Sequence, residues 1–144
     1  MQEYELVEKL PTVREYHRLR EAGDWVPVDD EAAARGLPAS LYSVCAVSHG
    51  EVVGYGRVVG DGAVYFYVQD VVVLPPYRLL GIGRKVMEAV MAYIGAHARE
   101  GSFVGLMAAP GVAQFYERYG FRARGPRNPG MGFIWPPELE EEPE

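Results

Sequence analysis

The sequence contains a single cysteine, Cys45, in 144 residues. That excludes an internal disulfide framework and any metal site built from several cysteines. No apolar run approaches the roughly 18 to 20 residues that a helical membrane span requires. Positive charge is also scarce, with 14 Lys and Arg against 20 Asp and Glu for a formal net charge of −6. Such a chain offers no basic field for DNA or RNA. The start, Met-Gln-Glu-Tyr-Glu, has neither a basic segment nor an apolar segment behind it, so no secretory leader is expected. These absences predict a soluble, cytoplasmic, single-domain protein with no metal, no membrane partner and no nucleic acid partner.

What is present is ordinary globular composition, with 49% apolar and 24% charged residues. The acidity is concentrated: residues 138–144 hold five glutamates and no base. This end reads as a solvated acidic tail behind a near-neutral domain over 1–137. Glycine is abundant at 17 residues, and glycine goes where backbone must turn tightly or approach a neighbour closely.

Helical spacing of Val13, Tyr16, Leu19 and Ala22 predicts a helix over 11–22. Thr12 and Glu15 at its start form a capping-box pattern. Acidic residues before Gly36 predict a second, short helix over 29–36. Three β-rich runs follow, at 41–47, 52–59 and 63–74, separated by turns at 49–51 and at Asp61-Gly62. They read as an antiparallel meander, with Gly54 and Gly56 as bulge candidates. Apolar residues at spacings of three and four then predict a long helix over 80–98. An apolar strand is expected over 103–108. A helix over 112–119 and weak strands at 121–124 and 131–135 complete the chain. The order implies an α/β (α+β) domain, its sheet antiparallel early and extended by one strand after a helical crossover.

The most informative stretch is Val71-Val72-Val73-Leu74-Pro75-Pro76-Tyr77-Arg78-Leu79-Leu80-Gly81-Ile82-Gly83-Arg84-Lys85. A buried strand ends in prolines, and a Gly-x-Gly turn opens a long helix. Free N–H groups and the positive end of the helix dipole suit that turn to a phosphate. Arg78, Arg84 and Lys85 add local positive charge. The phosphate-binding pattern G-x-x-x-x-G-K-[ST] does not occur, and a dinucleotide G-x-G-x-x-G fails at Val86. On this segment alone, a glycine turn that merely shapes the chain stays open.

Arg78-x-x-Gly81-x-Gly83 resembles the acyl-CoA motif [RQ]-x-x-G-x-[GA] of the GNAT superfamily of N-acyltransferases. Further on, Phe115-Tyr116-Glu117-Arg118-Tyr119-Gly120-Phe121 resembles that superfamily's second signature, [LF]-Y-x-x-x-G-F. The resemblance covers roughly residues 4–135. It implies a mixed, mostly antiparallel sheet, splayed between its fourth and fifth strands and flanked by helices. It implies acetyl-CoA as co-substrate and direct attack by a primary amine in a ternary complex. Backbone groups of Val71, Val72 and Val73 would pair with the pantetheine arm. The turn from Arg78 and Leu79 through Leu80, Gly81, Ile82, Gly83, Arg84 and Lys85 would hold the pyrophosphate. Many members dimerise, so a homodimer is one assembly the resemblance allows.

Acyl transfer to an amine needs a group to remove the amine's proton and another to protonate the departing thiolate. The resemblance puts Tyr116 at the position of the acid. Asp70, a lone carboxylate before Val71 in an apolar run, is the candidate base. A strand-edge role for Asp70 and a water chain as base stay open, and Gln69 and Tyr67 are candidates for positioning substrate. Superfamily members often carry Asn seven residues before the tyrosine, where this chain has Ala109. The stretch Asp70-Val-Val-Val-x-Pro, together with 106–121 and Gly130-Met131, is similar to the plant-type arylalkylamine (serotonin) acetyltransferases. Aromatic residues Trp25, Tyr42, Tyr55, Tyr65, Tyr67, Phe133 and Trp135 could serve an acceptor slot or the core. The acidic balance points weakly to a cationic small amine as acceptor. Acetylation of a protein or peptide amine, and a non-catalytic CoA-binding module, are the competing readings.

Overall fold

A computed structural model describes residues 3–109, 111–125 and 128–139. The expected acidic tail lies largely outside the described residues. Seven strands form one sheet in the order β1-β2-β3-β4-β5-β7-β6. Its strands are β1 (Glu5–Glu8), β2 (Tyr42–Ser48), β3 (Glu51–Gly60), β4 (Tyr65–Val73), β5 (Phe103–Met107), β6 (Arg122–Gly125) and β7 (Asn128–Ile134). The helices are α1 (Val13–Ala22), α2 (Asp30–Gly36), α3 (Ile82–His97) and α4 (Ala113–Glu117).

The meander is β2-β3-β4, antiparallel as expected. Thr12 and Glu15 make both hydrogen bonds of the capping box at the start of α1. In the β3–β4 turn, the Asp61 side chain accepts N–H bonds from Ala63, Val64 and Tyr65. Two elements differ from the sequence reading. Strand β1 has only four residues, Glu-Leu-Val-Glu, too few to show a period, and it exists by pairing with β2. Helix α4 is shorter than expected, Ala113–Glu117, because the chain then turns to Gly120 at φ 99°.

Helix α3 is amphipathic, and Ile82, Val86, Met87, Val90 and Ile94 are its buried residues. It lies so close to β3 that a Cβ on Gly54 would come within 2.9 Å of Ile82 and one on Gly56 within 2.6 Å of Val86. These glycines admit the helix, and both also lie at register shifts. Beside Gly54, β3 has an extra residue, Val53, between the partners of Ala46 and Val47. Between Tyr55 and Arg57, β3 has one residue where β4, between Gln69 and Val72, has two. The extra residue distorts β4 at Asp70, which adopts the left-handed conformation at φ 58°.

That bulge and the β4–β5 pairing together make a cleft. The two strands run parallel, but their register extends only from Tyr65–Phe103 to Tyr67–Gly105. Beyond it, β4 continues to Val73 and β5 to Met107 without pairing to each other. The sheet therefore opens between its fourth and fifth strands.

Candidate active site

The cleft at this opening has a volume of about 1390 Å³ and runs from α1 and the Trp25 loop, past β4, to α4. Its floor is the free edge of β4. The Leu74 N–H donates to Val53 O on β3. Strand alternation then turns the main-chain groups of Val71 and Val73 away from β3, toward the cleft. Val72 pairs with Tyr55 on β3, and its own main chain faces away from the opening.

The turn after β4 forms one end of the cleft. Leu79 at φ 66° and Gly81 at φ 84° both adopt the left-handed conformation. Leu79 can do so with its side chain wholly in solvent, and Gly81 because it has no Cβ. The first intrahelical bond runs from Lys85 N–H to Gly81 O. Among the described residues, the N–H groups of Leu79, Leu80, Gly81, Ile82, Gly83 and Arg84 have no backbone acceptor. Six successive donors at the positive end of a 16-residue helix make a cradle for an anion. Lys85 adds no open N–H, and its ammonium faces Glu88 at 3.5 Å.

Arg78, the first residue of the acyl-CoA motif, is used differently. Its guanidinium donates to Val73 O at 2.9 Å and to Ala22 O at 2.9 Å. It thus ties the end of α1 to the end of β4, with Val73 contributing only its N–H to the open edge.

Tyr116 lines the cleft from α4. Its ring packs edge-on against Phe115 at 5.1 Å and Phe121 at 6.3 Å. Burial pushes its phenol up to about 12, so it keeps its proton throughout the neutral range. The hydroxyl has no hydrogen-bond partner among the described residues, yet it is not sealed off as the Tyr119 hydroxyl is. Ala108 and Ala109 line the wall beside it without a side-chain donor.

Asp70 lies at the other end, 7% exposed. Its Oδ2 accepts from Tyr16 OH at 2.7 Å and from Arg57 Nε at 2.9 Å. Its Oδ1 faces Arg20 Nη1 at 3.7 Å. The Tyr16 phenol is pushed up by burial and by its bond to the Asp70 carboxylate. Burial works against the charge of Arg57, but the Asp70 carboxylate outweighs it and Arg57 is held above its ordinary value. Tyr16, Arg20 and Arg57 were not singled out by sequence reasoning. Of the aromatic candidates, Trp25 and Tyr67 line the cleft, as does Gln69. Tyr55 is core, Tyr42 stacks on Tyr93, Tyr65 is exposed beside Phe103, and Phe133 packs on Phe121 and Trp135.

A family model for the acetyltransferase (GNAT) domain matches residues 39–123, which span the meander, the cradle and Tyr116. This chain belongs to the GNAT acetyltransferase family. Among GNAT relatives, it is 38% identical over 86 residues to serotonin N-acetyltransferase 2, chloroplastic, of rice. That match takes in 60% of this chain and 42% of the rice enzyme, less than half of its length. The fold is similar to that of a probable acetyltransferase of meticillin-resistant Staphylococcus aureus, with a TM-score of 0.83 and 32% identity over 86% of this chain and 93% of that one. A GNAT acetyltransferase of Brucella melitensis, solved in complex with acetyl-CoA, shares the fold at a TM-score of 0.65 and 21% identity, over 98% of this chain and 94% of that one. Among the described residues, no helix of this GNAT domain is long and apolar enough to cross a membrane.

Proposed function

We propose that the chain moves the acetyl group of acetyl-CoA to the primary amine of a small molecule, by direct attack with both substrates bound. The observation that carries this reading is the open β4 edge running into six unbonded N–H groups at the start of α3. An extended amide-bearing arm suits the edge, where Val71 can donate and accept and Val73 can donate. The pyrophosphate suits the cradle, from Leu79 through Leu80, Gly81, Ile82 and Gly83 to Arg84. Val72 anchors the edge by pairing with Tyr55 of β3, Arg78 fixes the corner, and Lys85 closes the first helical bond.

The thioester supplies the acyl group when it is bound. As the amine nitrogen bonds to the acyl carbon, the carbon–sulfur bond breaks and its electron pair stays on sulfur. Tyr116 gives its phenolic proton to that sulfur. The amine loses its extra proton to Asp70, through Oδ1, the oxygen that takes no hydrogen bond from Tyr16 or Arg57. A small acceptor fits this reading because the Asp70 end of the cleft is walled by α1 and the Trp25 loop. A cytoplasmic setting accompanies this reading.

The test is turnover of acetyl-CoA with a panel of primary amines, following thiol release and the mass of the product. The expected result is equal amounts of free thiol and N-acetylated amine. CoA should also raise the melting temperature, by about 2.7 kcal/mol of stabilisation at 100 times its Kd. Tight CoA binding with no turnover on any amine would leave only a binding module.

A further inference from the structure

We infer that Arg78, although it stands first in the acyl-CoA motif, is a positioning residue for the acceptor: it fixes the Trp25 loop that walls the Asp70 end of the cleft. This inference rests on the reading above and assigns the side chain to the amine's half of the same site. Its basis is where the guanidinium goes. Nε donates to Val73 O at 2.9 Å and Nη2 to Ala22 O at 2.9 Å. These two nitrogens form one edge of the planar fork, so a phosphate could use that edge only by displacing both carbonyls. Val73 lies on the open edge of β4. Arg78 therefore takes an acceptor away from an incoming amide-bearing arm and gives the donor no contact in return.

The other carbonyl, Ala22 O, ends α1. The carbonyls before it are answered within the chain. Leu19 O and Arg20 O accept from Gly23 N–H, Arg20 O also from Trp25 N–H, and Glu21 O from Asp24 N–H. Ala22 O receives none of these, and a cation is the partner that a helix C-terminus favours. Past this point the chain reverses, with Asp24 in the left-handed conformation at φ 57°. The Trp25 ring folds back over Gly23, where a Cβ would come within 2.9 Å of it, and faces the Arg20 guanidinium at 5.7 Å. Arg20 closes the far end of the loop by donating Nε and Nη2 to Val26 O. The loop is thus one unit with the end of α1, and Trp25 goes where Ala22 goes.

Further back on α1, Tyr16 and Arg20 reach Asp70 on β4, and Arg18 reaches Glu51 on β3. At the helix end the tie is Arg78. Among the described residues, no other hydrogen bond joins 22–26 to β4 or to the turn after it. Without Arg78 the loop keeps its own folding but loses its polar tie to the sheet, and Trp25 and Val26 lose a fixed place in the cleft wall. The cradle is affected less. Its six N–H groups are set by the backbone of Leu79 through Arg84 and by the start of α3, and the guanidinium bonds to none of these residues.

Arg78→Met, which keeps the length of the stem and removes the donors, tests this in the full chain. With 2-phenylethylamine and other primary amines, KM for the amine should rise by about tenfold, the worth of one hydrogen bond from a charged donor. KM for acetyl-CoA should change by less than about threefold, since uniform binding is lost on the amine side alone. An unchanged amine KM, or an equal or larger rise in KM for acetyl-CoA, would overturn the inference while leaving acetyl transfer intact. If no amine is turned over, amide exchange on the two CoA-loaded proteins decides the point. Faster exchange at Gly23, Asp24 and Trp25 in the variant, with Leu79 through Arg84 still protected, supports the assignment. Unchanged exchange at those three amides, or lost protection at the cradle, overturns it. Wild-type cradle amides that CoA leaves unprotected would sink the donor reading itself, and this inference with it.

Discussion

Replacing Tyr116 by Phe is expected to lower kcat by roughly 100-fold, the lower range for losing a positioned proton donor, while KM for acetyl-CoA changes little. The ring should stay in place, since Phe115 and Phe121 hold it by its faces and edges. The hydroxyl makes no bond to any described residue, so its loss breaks no structural contact. On the proposed mechanism, what is lost is the proton that the leaving sulfur needs. The pH dependence has a definite sign. Burial raises the phenol to about 12, so its protonated form is fully populated up to about pH 10. Wild-type activity should therefore show no alkaline decline from this residue below that pH. Steady-state rates from pH 6 to 10 on both proteins check it. A variant at full rate across that range would remove Tyr116 from the chemistry.

Replacing Asp70 by Asn should have the second large effect, on activity and on stability. Asn tolerates the left-handed conformation that Asp70 adopts, so the bulge itself survives. The carboxylate does not, and Arg57 then faces a neutral amide in place of its ion-pair partner. Losing the charged partner of a mostly buried cation costs about 1 to 3 kcal/mol, which should appear as a lower melting temperature. With Asp70 as the proposed base, the amine must now reach the site already neutral. The rate of the variant should climb about tenfold per pH unit below the pKa of the free amine, so its deficit is largest at low pH. Parallel pH profiles for the two proteins would assign Asp70 to structure alone.

The Asp70 cluster also shows what could be read from the sequence and what could not. Asp70 stood out because it interrupts an apolar strand. Arg57 interrupts another, Val52–Val59, in the same way. Two lone charges of opposite sign on neighbouring antiparallel strands are a pair in waiting, although a bulge decides whether they meet. Tyr16 and Arg20 were harder to see. They lie four apart on α1, and each looks like an ordinary residue of an amphipathic helix. Only tertiary packing brings that helix across β4, more than 50 residues downstream in the chain.

The donor side was legible for the opposite reason. A cradle of N–H groups needs glycine at a left-handed position and a helix directly after it, and both requirements are local. Gly54 and Gly56 show the limit of that argument. Their lack of a side chain is written in the sequence, but a bulge and a close-packed helix call for the same residue. Both apply here: Gly54 lies beside the extra residue of β3, Gly56 lies opposite the bulge at Asp70, and both admit α3.

Amide hydrogen exchange with and without CoA tests most directly whether the open β4 edge and the turn after it hold the acyl donor. Bound CoA should slow exchange at Leu79 through Arg84 and at Val71 and Val73, with little change on β1 and β2. Saturating CoA that leaves those amides unchanged, or that protects a different surface, would contradict the account.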